Sequence, residues 1–348
     1  MSMPTTSTTA VVTPVQVWSV GALLTHPLLR PLAALAVLLL IDLIAIPDFF
    51  SLEMKDGHLY GPLIDILNRA APLMLAALGM TLVIATRGID ISVGAVVALA
   101  GTVAAMLVGG NPEADMPLIY ALGAAMGVAL LCGLWNGLLV AGLGLQPIVA
   151  TLILMVAGRG LAQLLTDGQI VTVYYPPYSF LGGGFFAGLP FSLTVVAVLF
   201  AVIAFMMRKT ALGLFIQAVG VNPVAARLAG LKTATLIIFV YVFCAGCAGL
   251  AGLMISSNIK SADANNAGLL LELDAILAVT LGGTSLAGGK FSLVGSVIGA
   301  LIIQTLTFTI YSLGVPPEVN MVVKAVVVFL VCLSQSAQFK QMFARRPA

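Results

Sequence analysis

The sequence predicts an all-α, polytopic membrane protein with about ten transmembrane helices, some of them short or broken. Three observations carry this. Of the 348 residues, 61% are hydrophobic and only 8% charged, against about 25% charged in a soluble domain. Apolar stretches able to cross a bilayer, which takes about 20 residues, follow one another from residue 31 almost to the C-terminus. The few cations also sort by loop. With an even number of spans and both termini cytoplasmic, Arg30, Arg87, Arg208, Lys209, Arg227, Lys232, Lys290, Lys340, Arg345 and Arg346 fall at or near the inside. Lys55 and Lys260 fall outside, together with Glu53, Asp56, Glu113, Asp115 and Asp263. That is the positive-inside pattern.

Taken in order, residues 1–30 form a cytoplasmic N-terminal tail, mixed in polarity and without a cation before Arg30. The apolar run that follows ends at Ile46-Pro47-Asp48 without a small-residue cleavage site, so it reads as a retained span. A transmembrane domain occupies 31–336, and 337–348 is a basic cytoplasmic tail. The spans are placed near 31–47, 62–86, 91–109, 117–142, 147–165, 190–207, 233–256, 273–288, 291–311 and 318–336. Pro117 to Gly158 carries no charge and is divided at Gly142-Leu143-Gly144-Leu145-Gln146-Pro147. Tyr174-Tyr175-Pro176-Pro177-Tyr178 and Gly182-Gly183-Gly184 read as a loop at an aromatic interface. The eighth span is short and interrupted by glycine. Gly123/Gly127, Gly133/Gly137 and Gly295/Gly299 are spaced for close helix contact.

Between Arg208 and Lys232 the chain becomes polar-edged. Asn222 suits an N-cap, Pro223 the first helical position and Gly230 the left-handed stop. The spacing predicts a helix of about seven residues, too short to span. Val224, Leu228 and Leu231 would share one face, and Ala225, Ala226 and Ala229 are small enough for another protein to close over. A plain connecting loop is the alternative.

Polar groups interrupt the apolar pattern twice. In Thr86-Arg87-Gly88-Ile89-Asp90-Ile91-Ser92-Val93-Gly94, Asp90 opens a helix whose free N–H groups suit a carboxylate. This is either a capped turn with a local Arg87–Asp90 pair or a broken helix lining a transport path. The second interruption runs from Glu272-Leu273-Asp274 to Gly288-Gly289-Lys290. Its glycines do not make a phosphate loop, because Thr284 stands where the first glycine of G-x-x-x-x-G-K-[ST] belongs and Phe291 follows the lysine. A re-entrant or broken-helix hairpin fits better. Candidate path residues are Asp90, Ser92, Asn136, Glu272, Asp274, Thr284 and Ser285. Asn136 could equally be interhelical glue.

Asp42, Arg159 and Lys324 lie in apolar surroundings, where a charge costs about 2.5–3.5 kcal/mol, and are expected to face protein or water. Asp65 and Arg69 are spaced to pair along a helix. Cys244 and Cys247 sit in an apolar run and read as small core residues. With His26 and His58 the only histidines, no catalytic or metal motif is found, and no cofactor or metal is expected. The net charge of +2 gives no reason to expect nucleic acid.

From about residue 30 onward the chain closely resembles permease subunits of the ribose/xylose/arabinose class of bacterial ABC sugar importers. The resemblance rests on Gly88-Ile89-Asp90-Ile91-Ser92-Val93-Gly94, Glu272-Leu273-Asp274-Ala275-Ile276 and Gly282-Gly283-Thr284-Ser285-Leu286-Ala287-Gly288-Gly289. Ile66 to Pro72, Ala150 to Gly160 and Ala262 to Gly268 are similar to the galactofuranose permeases of that class. The resemblance implies an inner-membrane protein working with two ATP-binding cassette ATPase subunits, a second permease (itself or a paralogue) and a periplasmic sugar-binding protein. It also implies ATPase coupling through Asn222, Pro223, Val224, Ala225, Ala226, Arg227, Leu228 and Gly230, whose pattern matches the family's E-A-A-x-x-x-G at Ala225, Ala226 and Gly230. Val224 stands in place of the glutamate, and Arg87 stands where relatives often have a small residue. A proton-coupled sugar carrier using Asp42 or Asp90, or an enzyme acting on lipid-linked sugars, are the rival readings.

Overall fold

The computed structural model describes residues 28–55, 57–109, 116–316, 319, 321–326 and 329. Residues 1–27 of the expected N-terminal tail, the tail 337–348 and most of the tenth span lie outside the described residues. The chain is mostly helical. Helix α1 (Leu29–Ala45) is followed by a hairpin of β1 (Glu53–Lys55) and β2 (His58–Tyr60), then α2 (Pro62–Ala85) and α3 (Val93–Val108). Helix α4 (Leu118–Gly137) runs on through a π-helical turn, Leu138–Gly142, and α5 (Pro147–Leu165) follows. Next come β3 (Val171–Thr172), α6 (Pro176–Gly183), β4 (Phe185–Phe186), β5 (Leu189–Pro190) and α7 (Phe191–Lys209). Two short helices, α8 (Leu212–Val221) and α9 (Pro223–Leu228), lead into α10 (Thr233–Asn258). The chain then continues through β6 (Ser261–Ala262), α11 (Leu271–Leu281) and α12 (Leu293–Ser312). Strand β6 pairs antiparallel with β3, and β4 with β5.

Among the described residues six helices are long and apolar enough to cross a membrane: Pro62–Ala85, Leu118–Gly142, Pro147–Leu165, Phe191–Lys209, Thr233–Asn258 and Leu293–Ser312. Helices α1 and α3, at 17 and 16 residues, fall just short of that length. The expected eighth span differs most. In place of 273–288 stands the 11-residue α11. It starts after Leu270, held at φ 61°, and stops at Gly282-Gly283, where Gly283 takes φ 88°.

The core is built around α10, which packs on α2, α3 and α4. Of the apolar stretch of α2, 78% is buried in the protein, against 17% for α7, so α2 is central and α7 peripheral. Small residues let the backbones approach: Gly133 and Gly137 of α4 meet α10 at Val242 and Ile238, and Gly295 and Gly299 of α12 meet Gly282 and Ala278. Among the described residues a methyl group at Gly123 or Gly127 would meet nothing within 4 Å. Cys244 and Cys247 are buried, free, and packed on Gly79 of α2. Buried polar residues tie helices together. Thr81 Oγ1 donates to Ser296 Oγ at 2.7 Å, and Thr309 Oγ1 to Asp42 Oδ1 at 2.6 Å. Asp65 and Arg69 pair at 3.0 Å.

Candidate functional site: a capped helix and two polar interruptions

Helix α9 is built from local signals. Asn222 Oδ1 accepts from the Val224 and Ala225 N–H groups at 3.0 Å each, the N-cap interaction. At the other end the Gly230 N–H donates to the Arg227 carbonyl and the Leu231 N–H to the Ala226 carbonyl, both at 3.0 Å. Gly230 takes φ 87°. This pair of bonds with a left-handed glycine is a Schellman stop. Both ends of the helix are therefore satisfied by its own neighbours. Val224 and Leu228 are 67% and 85% exposed. The expectation for Ala226 is corrected: it is only 5% exposed and packs inward, so Ala225 and Ala229 are the small residues left outside.

Helix α8, just before α9, had no signal in the sequence. Its N-cap position, Ala211, makes no side-chain cap bond. Gly213 and Gly220 serve close approach: a methyl group at Gly220 would collide with the Ala85 carbonyl oxygen. The Gly289 N–H donates to that same carbonyl at 2.9 Å. Arg87, at φ 64°, sends Nη2 to the Val221 carbonyl at 2.5 Å. Of the two readings of this turn, the local Arg87–Asp90 pair is not seen: Arg87 bonds the Val221 carbonyl, and buried Asp90 is bonded to Ser92. The end of α2, the end of α8 and the Gly288-Gly289 turn thus meet at one junction, one residue before the Asn222 cap.

Three of the expected path residues come together at the α2–α3 corner. Asp90 Oδ1 accepts from the Ser92 N–H at 2.9 Å and from Ser92 Oγ at 2.6 Å. Asn136 Nδ2 of α4 donates to Ser92 Oγ at 2.8 Å and lies 3.4 Å from Asp90 Oδ1. All three residues are at most 1% exposed. Asn136 Oδ1 has no hydrogen-bond partner among the described residues. Thr151 Oγ1 of α5 joins the cluster by accepting from the Ile91 N–H at 3.1 Å. The arrangement fits interhelical glue: it locks α2, α3, α4 and α5 at one point.

Glu272, in the first turn of α11, lies against the start of α3. It is buried, and its carboxylate closes on Gly94, where a methyl group would collide with Glu272 Oε2 and with the Gly268 carbonyl. Gly268 in turn lies against Val97, and Val97 against Gly252 of α10. Gly252 is six residues from the end of α10, a depth of about 9 Å at 1.5 Å per residue. The loop from Asp263 to Leu270 therefore dips back between the helices before α11 begins. Arg159 of α5 holds it there, with Nη1 donating to the carbonyls of Ala264, Asn265 and Ala267 at 3.3, 3.0 and 3.0 Å. Burial works to raise the Asp263 carboxyl, but hydrogen bonds from Asn266 and Asn265 and the Arg159 charge outweigh it and hold it below the usual value.

The remaining expected residues stand elsewhere. Asp274 pairs with Lys324 at 2.8 Å. Thr284 is buried and accepts from the Ser292 N–H at 3.2 Å, while exposed Ser285 caps the Ala287 N–H at 3.2 Å. Both lie at the α9 end of the bundle and make turn contacts. A cavity of about 470 Å³ at the opposite end is lined by Tyr60, Asp65, Asn68, Phe185 and Phe308, among others, and by none of the expected path residues. Among the described residues no cluster of three His, Cys, Asp or Glu side chains is placed to hold a metal ion.

This bundle of apolar helices, broken at two polar points and carrying a capped external helix, has counterparts among known proteins. Residues 63–332 match the family described as "Branched-chain amino acid transport system / permease component". The chain belongs to this family. It is 54% identical to a galactofuranose transporter permease of Escherichia coli (strain K12), over 88% of this chain and 89% of the relative. A fructose import permease of Bifidobacterium longum (strain NCC 2705) is 39% identical over 93% and 92%. A ribose import permease of Escherichia coli (strain K12) is 38% identical over 87% and 92%. No solved structure gives a significant match. The permease is an inner-membrane protein.

Proposed function

We propose that this chain is the transmembrane permease subunit of an ATP-driven importer that carries a monosaccharide, galactofuranose or a related pentose or hexose, from periplasm to cytoplasm. The observation that carries the reading is the 54% identity, over nearly the whole chain, to a galactofuranose transporter permease. The fructose and ribose import permeases support the same substrate class. The topology that goes with it has about ten spans, with α11 as a half-span, both termini in the cytoplasm, and segment 208–232 on the cytoplasmic side, where Arg208, Lys209, Arg227 and Lys232 collect.

In this reading the permease hydrolyses nothing. Two ATPase subunits dock on α9, one against this chain and one against a second permease copy or paralogue, and a periplasmic binding protein delivers the sugar. Exposed Val224 and Leu228 supply an apolar contact, and Val224 in the position of the family's glutamate leaves shape rather than charge at that joint. Movement of α9 passes to the bundle through the Val221–Arg87 bond and the Gly220–Ala85–Gly289 contact.

The test is uptake by vesicles containing the permease, its co-purifying ATPase and its binding protein. Uptake of D-galactose, D-fructose or D-ribose should require ATP inside the vesicle and stop without the ATPase. Persistent uptake in its absence overturns the reading. A proton-coupled carrier has one feature in its favour, the buried Asp42 Oδ2, which lacks a partner among the described residues. In that case a protonophore, rather than ATPase removal, would abolish uptake.

A further inference from the structure

Asn265 and Asn266 stand side by side and exposed on the loop that dips back before α11. Among the described residues each carboxamide is fixed at one end only. Asn265 Oδ1 accepts from Gln163 Nε2 at 2.8 Å, and Asn266 Nδ2 donates to Asp263 Oδ2 at 2.7 Å. The ends left outward are Asn265 Nδ2, a donor, and Asn266 Oδ1, an acceptor. The backbone beneath them is fixed as well. Asp263 Oδ1 accepts from the Asn265 and Asn266 N–H groups at 2.9 and 3.1 Å, and Arg159 gathers the carbonyls of Ala264, Asn265 and Ala267.

Two arguments say what this pair faces. Asn265 bonds Gln163, two residues from the end of α5 and about 3 Å inside it at 1.5 Å per residue, while the clamp reaches down to Arg159, four residues deeper. The open amide donor and acceptor therefore stand exposed at the mouth of the bundle, where they meet water or an arriving solute. A donor beside an acceptor, with no free charge, matches neighbouring hydroxyl groups, each of which both donates and accepts. An anion would meet the Asp263 carboxylate and the Asn266 carbonyl oxygen. A cation would find a carboxylate already taken by three N–H bonds.

We propose that Asn265 and Asn266 contact hydroxyl groups of the sugar on its way through, and that Arg159, with Gln163, is a positioning residue that holds them at the path. The proposal rests on the sugar-importer reading. It assigns the permease a share of the selectivity in addition to that of the binding protein.

The experiment uses the full complex in vesicles, and whichever of D-galactose, D-fructose and D-ribose the wild type takes up fastest, together with its monodeoxy analogues. The binding protein is the same in every arm, so its own discrimination cancels between variants. If one hydroxyl bonds Asn265 or Asn266, the wild type should lose roughly 2- to 10-fold in uptake for the matching deoxy analogue beyond what N265A or N266A loses, the range of one neutral hydrogen bond. R159K keeps the charge but offers a single ammonium in place of the planar fork. It should flatten the deoxy ratios while the ATPase still co-purifies. Unchanged ratios in N265A and N266A overturn the proposal while leaving the importer intact. Loss of the permease–permease association in either variant would instead make the pair an interface contact. Absence of uptake of all three sugars by the wild type sinks the sugar reading, and this proposal with it.

Discussion

The two ends of α10 carry opposite kinds of connection. Before Thr233, α9 is closed by its own backbone and by one side chain, Asn222, three residues from the last N–H it caps. It shows apolar Val224 and Leu228 to the outside. After Asn258, the loop from Asp263 to Leu270 is held by side chains of another helix, Arg159 and Gln163 of α5, and shows amides. The first is a self-contained unit, which keeps its shape when it moves. The second is turned by its own Asp263 and braced from outside by α5, so a displacement of α5 against α10 pulls on it. A transporter needs both: a stiff part to receive force and a part whose contacts change when the helices shift.

The contrast can be broken from either end. The largest effect is expected for Gly94→Val, which places a side chain onto Glu272 Oε2 and the Gly268 carbonyl. It should destabilise the permease by about 3 kcal/mol through overpacking, read as a lower melting temperature in detergent. Next comes Arg159→Ala, which frees three carbonyls and should cost about 2 kcal/mol. Hydrogen exchange should rise across 263–270 and stay unchanged across 223–230, and equal change in both would erase the distinction drawn here. Asn222→Ala removes the cap and should cost about 1 kcal/mol, with faster exchange confined to α8 and α9 and less transport per ATP hydrolysed. Leu228→Ser should leave the melting temperature within experimental error, since the side chain is 85% exposed. It should still reduce ATPase co-purification, and full retention would remove Leu228 from the joint.

How much of this was legible in the sequence depended on distance along the chain. Helix α9 could be read because Asn222, Pro223 and Gly230 encode its start and stop within a few residues. The long spans could be read because hydropathy is a local sum. Helix α8 could not, since Gly213 and Gly220 signal breaks unless one knows that Met207 and Ala85 press against them. Nor could the partners of Arg87 and Arg159, which are main-chain carbonyls of remote segments and leave no mark in residue type. Spacing allowed Arg87 to pair with Asp90, whereas its partner in the fold is the Val221 carbonyl. Asp90, Ser92 and Asn136 are each candidate path residues by sequence, but that they form one cluster is a property of the α2–α3–α4 packing.

The Schellman stop and the Asn222 cap have a consequence for how the transporter is made. A helix whose end groups are already satisfied has little left to order when a partner arrives. Under the docking role proposed for α9, the permease leaves the membrane-insertion machinery with that helix finished, so partner subunits would join a preformed socket and assembly would not need to be coupled to folding.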